Sequence, residues 1–465
     1  MIDLISLENR EKEIEKYLEQ SDQNFCDITL GEKFMWQDYY KTAFCIYNQT
    51  LIMREIAEDG TECFYYPIGE DCDGALLKIE EYCLEKKIPL VFTCVDDARA
   101  DLLEKRYAYS KVEFDRDWND YIYLAQNFVT YSGKKLSGQR NHVNKFKKEY
   151  PEHSFSVATK EDVPKILEFL KEYYGEHAKN DAYAQKDQEL CVKLIERFED
   201  LNQLAGILRV QDKIVGVSVG EILGDTLIVH VEKALSEYKG VYPTLASSFV
   251  KTFKTDSVIW VNREEDCGDE GLRTSKMQYH PAEIKRKNNV YVNTVIDEIF
   301  TPFNLTTDRL TITDVKKDDE EVYAKLYLDE KLNEFWGYDY HEDLNGESPT
   351  PNWFFNFQKK LKETGEEYSL AVRENEKMIG ELVLHTPDYF GGVEIGFRFF
   401  SEYHGKGYAT ESAQAVIDYM REKHSIKKIR SRCFKNNLAS RKLIERLGLT
   451  YKREDKEKYY FEKIF

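Results

Sequence analysis

The chain has 465 residues, of which 42% are hydrophobic and 32% charged, a composition typical of globular proteins with about three domains of ~150 residues each. Its formal net charge of −19 argues against nonspecific binding to nucleic acid, because phosphate neutralisation requires a basic surface. The first residues lack the basic and apolar regions of a signal peptide, and no apolar run approaches the ~18 residues of a membrane span. We therefore expect a cytoplasmic protein with no membrane partner.

The nine cysteines and nine histidines show none of the common metal-binding spacings, neither C-x-x-C nor H-E-x-x-H. An odd number of cysteines in a long chain of this kind predicts free buried thiols rather than disulfides. We therefore expect no bound metal.

The first 125 residues alternate between predicted helices and strands. The helices are expected at 8–20, 75–86 and 98–107, and a buried strand at 90–95. This alternation predicts an α/β or α+β sheet domain without a phosphate-binding glycine turn.

A basic stretch follows at 131–151, with Lys134, Lys135, Arg140, Lys145, Lys147 and Lys148 against the single Glu149. Arg140, Asn144 and Lys148 recur at i, i+4 and i+8 and so form one polar stripe of a helix. The stripe is either a solvated helix face or a contact for a phosphate or carboxylate partner.

Residues 155–290 repeat the layout of the C-terminal block: helix, hairpin, strand, glycine turn, helix and strand. The turn at 237–245 contains only Gly240, with Pro243 inside it, so we expect its phosphate cradle to be degraded. Polar residues gather near the strand ends: His230, Glu232, Asn262, Arg263, Glu264, Asp266 and Arg273. Together with Arg140 and Asn144 they predict a pocket for an amine and a carboxylate, the alternative being a buried salt-bridge network.

A linker is predicted at 294–306, where Pro302 breaks any helix. Beyond it, an apolar strand at 393–400 is followed by Gly405 and Gly407 and then by a helix with one apolar face: Ala413, Val416, Ile417 and Met420. A strand, a glycine turn and a helix aim backbone N–H groups and a positive helix end at a phosphate.

Two motifs, E-Y-H-G-K-G-Y-A-T-E-S at 402–412 and N-x-x-S-x-x-L-x-x-x-L-G-L at 437–449, resemble the GNAT acyl-CoA transferases, and most closely the branch that acetylates ribosomal-protein N-termini. The resemblance covers roughly 305–465. It implies acetyl-CoA as co-substrate and direct transfer to a primary amine of a small molecule or peptide, without a covalent enzyme intermediate. It also implies that the aromatic residues Phe335, Trp336, Tyr338 and Tyr340 lie where the acceptor enters, the alternative being core packing.

Three other segments, at 132–146, 230–234 (H-V-E-K-A) and 262–281, resemble an uncharacterised bacterial family grouped with the C-terminal domain of phosphatidylglycerol lysyltransferases. This resemblance covers roughly 1–293 and implies two GNAT-like halves, about 1–150 and 151–293, of the kind that moves amino acids from aminoacyl-tRNA. The predicted fold class is therefore α+β, with tandem GNAT-like sheets followed by a third, complete GNAT fold at 307–465.

The residues predicted to contact the acetyl-CoA are Phe397, Phe399, Tyr403, His404, Gly405, Lys406, Gly407, Tyr408, Ala409, Asn437 and Ser440. Strand alternation places Glu394 on one face with Gly396 and Arg398, so Glu394 is either the general base or the partner of Arg398. Glu381 is the second candidate for the base, and a third possibility is an amine that loses its proton to water.

The tyrosine that many GNAT enzymes use to protonate the leaving thiolate is replaced by Ile444. Ser440 is a substitute acid, unless its hydroxyl only bonds within its helix. Two alternatives remain for the whole chain. The N-terminal block is either an aminoacyl-tRNA-dependent transferase that binds tRNA through the basic stripe, or a non-catalytic recognition module.

Overall fold

The computed structural model describes residues 2–175, 182–299, 302–344 and 346–465. These residues form two compact units, one from 1–83, 90–100 and 112–290, the other from 84–89, 101–111 and 291–465. Helices and strands alternate along both units, and the strands form three sheets. The predicted α+β class is confirmed.

The elements are numbered in chain order. The helices are α1 Glu11–Leu18, α2 Leu30–Trp36, α3 Cys72–Lys86, α4 Asp97–Arg106, α5 Ala125–Thr130, α6 Ser137–Glu149, α7 Val163–Tyr174, α8 Ala182–Arg197, α9 Val241–Phe253, α10 Glu270–Met277, α11 Glu320–Leu328, α12 Glu330–Asn333, α13 Pro351–Glu363, α14 Tyr408–His424 and α15 Leu438–Arg446. The strands are β1 Ile5–Ser6, β2 Ala43–Tyr47, β3 Thr50–Ile56, β4 Glu62–Phe64, β5 Ile68–Gly69, β6 Leu90–Val95, β7 Tyr109–Phe114, β8 Asp120–Leu124, β9 His153–Val157, β10 Leu204–Val210, β11 Lys213–Leu223, β12 Thr226–Ala234, β13 Trp260–Asn262, β14 Glu283–Lys285, β15 Asn288–Asn293, β16 Asn304–Thr306, β17 Thr311–Asp314, β18 Glu367–Glu374, β19 Lys377–His385, β20 Gly392–Phe399, β21 Lys428–Phe434, β22 Thr450–Glu454 and β23 Lys458–Ile464.

The three sheets share one layout. Their strand orders are β1-β2-β3-β4-β6-β15-β7, β9-β10-β11-β12-β13-β8-β14 and, after the edge strand β16, β17-β18-β19-β20-β21-β23-β22. In each sheet the fourth and fifth strands are parallel (β4 with β6, β12 with β13, β20 with β21). The repeat that the sequence predicted for the second and third sheets therefore extends to the first.

The first two sheets exchange one strand. Counted from β17, the sixth strand of the third sheet is β23, which comes from the same part of the chain as its neighbours. The sixth strand of the second sheet is β8, and the sixth strand of the first sheet is β15. Strand β8 precedes the second sheet in the chain, and β15 follows it. The predicted halves, 1–150 and 151–293, therefore each donate a strand to the other.

The core of the third sheet forms between its strands and α14. The predicted apolar face of that helix is confirmed, since Ala413, Val416, Ile417 and Met420 are fully buried in one cluster with Ile395 of β20. The residues predicted as a linker also contribute, because Val295, Ile296, Ile299 and Phe303 are buried in the same cluster. Residues 300 and 301 of the predicted linker lie outside the described residues.

Among the helices in the described ranges, none combines the length and the apolar character needed to cross a lipid bilayer.

Candidate active site

The third sheet opens at the middle of β20. This strand pairs with β21 in parallel from Gly392–Lys428 as far as Glu394–Arg430, but it stays paired with β19 through Phe399. The edge of β20 beyond Glu394 is therefore separated from β21. A cavity of about 650 Å³ occupies this opening and is lined by residues of β20, β21, α14 and α15.

A glycine turn closes one end of the cavity. Gly405 and Gly407 have φ angles of +73° and +86°, the left-handed region that favours glycine. A methyl group on Gly405 would meet no atom within 4 Å. Within the described chain, the amides of Gly405, Lys406 and Gly407 donate to no acceptor. The turn thus presents free N–H groups beside the positive end of α14, which is the chemistry of a phosphate site.

Arg309 braces this turn from the side. Its Nη1 donates to the carbonyl of Lys406 at 3.1 Å, and its Nη2 lies 2.6 Å from a carboxylate oxygen of Glu411 in the first turn of α14. The Lys406 ammonium lies 5.0 Å from the centre of the Tyr403 ring. Ten of the eleven residues predicted to contact the cofactor line the described cavity: Phe397, Phe399, Tyr403, His404, Gly405, Gly407, Tyr408, Ala409, Asn437 and Ser440. The eleventh, Lys406, is absent from the described cavity wall.

The corresponding turn of the second sheet is filled. Gly240 also has a positive φ, +90°, and it immediately precedes α9. A methyl group there would lie 2.4 Å from the carbonyl oxygen of His142 and 3.3 Å from Cβ of Phe146, both in α6. Helix α6 therefore occupies the space that a phosphate would need, which gives the predicted loss of the cradle a physical cause.

Glu394 lies at the point where the strands separate and lines the cavity. Its carboxylate is 3.1 Å from Nε of Arg432 and 3.9 Å from Nε2 of His385. Burial raises the pKa of Glu394 above the ordinary carboxyl value, against the opposing effect of Arg432 and Arg430. The charge of the Glu394 carboxylate is thus partly balanced by Arg432, and its proton affinity is nevertheless raised.

Arg398 forms its ion pair with Glu381 and not with Glu394, the partner considered from the sequence. Glu381 is fully buried and accepts hydrogen bonds from Nε of Arg398 at 2.9 Å and from its Nη2. The two residues face each other across β19 and β20, a pairing that spacing along one strand does not reveal. Within the described ranges, the cavity wall does not include Glu381. We therefore do not propose Glu381 as the base.

Glu367 is a cavity carboxylate that the sequence analysis missed. Glu367, His385 and Glu394 are cross-strand neighbours on β18, β19 and β20, and all three line the cavity. Burial, followed by the charge of Glu381, raises the pKa of Glu367 to about 7. Burial, with Arg432 and Arg430 nearby, lowers the pKa of His385 to about 4. Only the strand register brings the three together, although each is a polar residue near a strand end.

The predicted aromatic cluster divides into two environments. Phe335, Trp336 and Tyr338 line the cavity, and the Trp336 ring would lie 3.3 Å from a methyl group on Gly396. The absence of a side chain at Gly396 therefore leaves the space that Trp336 fills. Tyr340 packs against His341 and Phe354, outside the described cavity wall.

The start of α15 forms the far wall. Asn437 caps this helix, because its Oδ1 accepts the N–H of Ser440 at 3.0 Å, and both residues line the cavity. Ile444, where a tyrosine acid was considered, is fully buried in the core. Ser440 is therefore the one hydroxyl-bearing residue of α15 on the described cavity wall.

In the N-terminal block the predicted pocket residues form separate groups. His230 is buried between two carboxylates, with Nε2 2.9 Å from Glu221 and Nδ1 2.8 Å from Glu264. Burial disfavours the charge on His230, but these hydrogen bonds outweigh burial and raise its pKa to about 10. Asn262 donates to Asp120 at 2.7 Å and accepts the N–H of Glu264 at 2.8 Å.

Arg263 and Arg273 belong to ion pairs. Arg263 contacts Glu232 at 2.6 Å, and Arg273 contacts Asp266 at 2.7 Å. These pairs agree with the salt-bridge alternative. Arg140 donates to the carbonyls of Tyr131 and Gly133, and Asn144 is exposed on α6, so neither has a polar contact with these groups among the described residues.

Comparison with known proteins adds two family matches. Residues 19–289 match the family model described as phosphatidylglycerol lysyltransferase, C-terminal, and residues 309–450 match the acetyltransferase (GNAT) domain. The uncharacterized N-acetyltransferase YjdG of Bacillus subtilis is 30% identical over 115 residues, which are 23% of this chain and 68% of YjdG. The uncharacterized protein MYCGA3080 of Mycoplasmoides gallisepticum is 25% identical over 174 residues, and the chain spans about half of that relative, 56%.

Among solved structures, a conserved protein of unknown function from Bacteroides thetaiotaomicron superposes with a TM-score of 0.59 at 28% identity. The superposition covers 63% of this chain and 99% of that protein.

Proposed function

Because the chain belongs to the phosphatidylglycerol lysyltransferase C-terminal family through residues 19–289 and carries a GNAT acetyltransferase domain at 309–450, we propose that its C-terminal unit transfers the acetyl group of acetyl-CoA to a primary amine. One observation carries this proposal. A single cavity joins the open glycine turn, the separated strands β20 and β21, and the carboxylate of Glu394.

The residues of the cavity suit acetyl-CoA. The free amides of Gly405, Lys406 and Gly407 match a pyrophosphate, and the opening beyond Glu394 accommodates an extended pantetheine arm between β20 and β21. Bound acetyl-CoA supplies the thioester whose acetyl carbon receives the amine. The amide groups along the open edge of β20, near Phe397 and Phe399, polarise the acetyl carbonyl.

Glu394 accepts the proton that the attacking amine loses, directly or through one water molecule. Its position fits this role because it lies where the strands part and because burial raises its pKa. The bond from the amine nitrogen to the acetyl carbon forms, the carbon–sulfur bond breaks, and Ser440 donates a hydrogen bond to the departing thiolate. The aromatic residues Trp336 and Tyr338 form the side from which the acceptor approaches.

The test is an acetyl-CoA consumption assay with the full chain over classes of amine: peptide N-termini, free amino acids and polyamines. The decisive variant is Gly405→Glu, which places a carboxylate where the pyrophosphate binds. Its matched control is Gly60→Glu in the β3–β4 turn, because Gly60 also has a positive φ, +89°, and open space around it.

We expect at least one amine class to be acetylated by the native chain and by Gly60→Glu, and the Gly405→Glu activity to fall to background. Equal activity in the two glycine variants would remove the glycine turn from the mechanism. No turnover with any amine would refute the proposed reaction.

A further inference from the structure

One carboxylate on the cavity wall lacks a cation. Glu367 lines the cavity, and no lysine, arginine or histidine in the described ranges forms an ion pair with it. The hydrogen bond that its carboxylate accepts there, from Oγ of Ser369, is long at 3.5 Å. A carboxylate withdrawn from water without a partner is unfavourable for folding, and such groups are typical of sites where a ligand supplies the missing charge.

The guanidinium of Arg398 is engaged elsewhere. Its Nε and Nη2 donate to Glu381, and its Nη1 donates to Oδ1 of Asn333. Glu381 and Arg398 both act electrostatically on Glu367, in opposite directions, and the effect of Glu381 is the larger. The buried ion pair therefore does not supply the positive charge that Glu367 lacks.

Two further basic residues of the cavity wall do not balance Glu367 either. His385 lies between Glu367 and Glu394 in the strand ladder, and burial lowers its pKa to about 4, so the imidazole is neutral near pH 7. Lys331 has an exposed side chain and forms no ion pair with Glu367 within the described chain. A cationic ligand at this place would meet an uncompensated negative charge.

Glu367 lies away from the end of the cavity that suits the pyrophosphate. Strand β20 runs from Glu394 toward the glycine turn, and its last residue, Phe399, lies about 17 Å beyond Glu394 at ~3.4 Å per residue. Acetyl-CoA with its pyrophosphate at that turn therefore brings its thioester toward Glu394. Glu367 follows two strands farther across the sheet, on the same face, and so belongs to the side from which the acceptor approaches.

Aromatic side chains stand on the same wall as Glu367. Tyr327, Trp336 and Tyr338 line the cavity with it. Burial, followed by the charges of Glu381 and Glu367, raises the pKa of Tyr327, so this phenol is near the carboxylate. Aromatic faces attract cations and also cover methylene groups. A carboxylate within an aromatic wall therefore favours an alkylammonium group over a neutral or anionic one.

We propose that the acceptor is a primary amine with a second positive charge, which Glu367 binds while the amine reacts beside Glu394. Neighbouring strands lie ~4.8 Å apart, so the two glutamates begin about 10 Å from each other on one face. An aliphatic diamine spans this gap when each of its nitrogens contacts one carboxylate. The specificity rests on the proposed acetyl transfer: the bonds formed and broken are the same, and the distal ammonium takes no part in them.

Acetylation consumes one of the two charges. The amide that forms from a diamine is neutral at the acetylated nitrogen, so the product has a single ammonium group. To react a second time, this product would have to bring its remaining amine to Glu394 and leave Glu367 without a cation. We therefore expect the monoacetylated product to accumulate before any diacetylated product, as measured by mass spectrometry.

The experiment compares amines of equal length that differ in the second charge. The full chain is assayed with 1,4-diaminobutane against 1-aminobutane, with 1,6-diaminohexane against 1-aminohexane, and with an alanyl-lysine peptide against an alanyl-norleucine peptide. The first two pairs test free diamines, and the third tests a peptide N-terminus that precedes a basic residue. Glu367→Gln removes the charge, and Glu334→Gln is the matched control, because Glu334 is exposed and absent from the described cavity wall.

In the native chain and in Glu334→Gln, we expect kcat/KM to be about 10–100-fold higher for the dicationic member of at least one pair. The difference should arise mainly in KM, because the second charge is bound but does not react. In Glu367→Gln the two members of each pair should become equal substrates.

The pH dependence of this preference is a second readout, which needs the native chain alone. Burial, followed by the charge of Glu381, raises the pKa of Glu367 to about 7, so the carboxylate loses its charge as the pH falls from about 8 to about 6. The other charged groups that act on it are Arg398 and Glu366. The preference for the dicationic member should decline over this range, while both members keep the same dependence on Glu394.

Isothermal titration of 1,4-diaminobutane into the full chain, with and without CoA, measures the cation site apart from turnover. Heat of binding that Glu367→Gln abolishes supports the site even if no amine is acetylated, a result that would refute only the proposed reaction. Three results would overturn the role of Glu367: equal kcat/KM within all three pairs, a preference that Glu367→Gln leaves intact, or a native preference that does not change with pH. If no amine is acetylated, the absence of diamine binding would overturn it as well.

Discussion

Glu394 and Glu367 are the two carboxylates that line the described cavity wall, and substitution can show which of them accepts the proton of the amine. Glu394→Gln keeps the size of the side chain but removes the base, so we expect kcat to fall by about 10²–10⁴-fold while acetyl-CoA affinity is unchanged. Glu367→Gln is the matched control and should retain most of kcat. If Glu367→Gln abolishes turnover and Glu394→Gln does not, the base is Glu367.

The pH dependence of kcat tests the same assignment. A base acts only when unprotonated, and burial raises the pKa of Glu394 above 4.5. The rate of the native enzyme should therefore fall as the pH drops through a value above 4.5. Glu394→Gln should lose this limb and keep only the ionisation of the amine. A limb that persists unchanged in the variant would contradict the role of Glu394.

Glu367 should also affect stability, in a direction fixed by its pKa. Its pKa is about 7 in the folded chain against 4.5 for the ordinary carboxyl, so folding favours the protonated form and stability falls as the pH rises from 4.5 through 7. Glu367→Gln mimics the protonated acid. It should match the native chain at pH 4 and exceed it at pH 8 by on the order of 2–3 kcal/mol in chemical denaturation. A variant less stable at pH 8 would contradict this environment.

At this scale the sequence predicted which face Glu394 occupies, because alternation along a strand is local. It did not predict that Arg398 binds Glu381, nor that Glu367 joins the cavity, because both depend on the register between neighbouring strands.

The glycine turns before α9 and α14 differ in what lies against them, and this difference is measurable. Gly240→Ala and Gly405→Ala both place a methyl group at a positive φ, which costs about 1–2 kcal/mol. At Gly240 the methyl also collides with the His142 carbonyl, which adds about 1–3 kcal/mol.

We therefore expect Gly240→Ala to destabilise the N-terminal unit by more than Gly405→Ala destabilises the C-terminal unit. The measurement is the free energy of unfolding of each unit, obtained from denaturant titrations with a probe in that unit. Acetyl-CoA binding should be unchanged in Gly240→Ala. Equal destabilisation would mean that α6 does not fill the second turn.

The sequence predicted both elements, and it predicted the degraded turn from its single glycine and proline. It could not predict that α6 fills the turn, because that contact joins segments about 100 residues apart. The segment predicted as a linker was also only partly understood from the sequence. Its apolar residues were expected to connect two domains, but they are buried in the core of the third sheet.

The exchange of β8 and β15 makes the first two sheets interdependent. Neither predicted half contains all the strands of its own sheet, so a chain cut between residues 150 and 151 should yield pieces that are insoluble when expressed separately. Co-expression of 1–150 with 151–465 should restore a soluble complex, as measured by co-purification. A folded, monomeric piece 1–150 would contradict the strand exchange.

The threefold layout was accessible from the sequence for the second and third sheets, whose motifs recur in the same order. The exchange was not, because the order of strands in space is set by contacts between distant segments rather than by local pattern. At the scale of the whole molecule, we infer that the three sheets share one layout and that the glycine turn before α14, unlike the filled turn before α9, is open to a CoA pyrophosphate.

Isothermal titration of the full chain with CoA tests that claim most directly, because it counts the sites. We expect one CoA per chain, loss of binding in Gly405→Glu, and native binding in Gly60→Glu. Two or more sites per chain, no heat of binding, or binding that survives Gly405→Glu would contradict it.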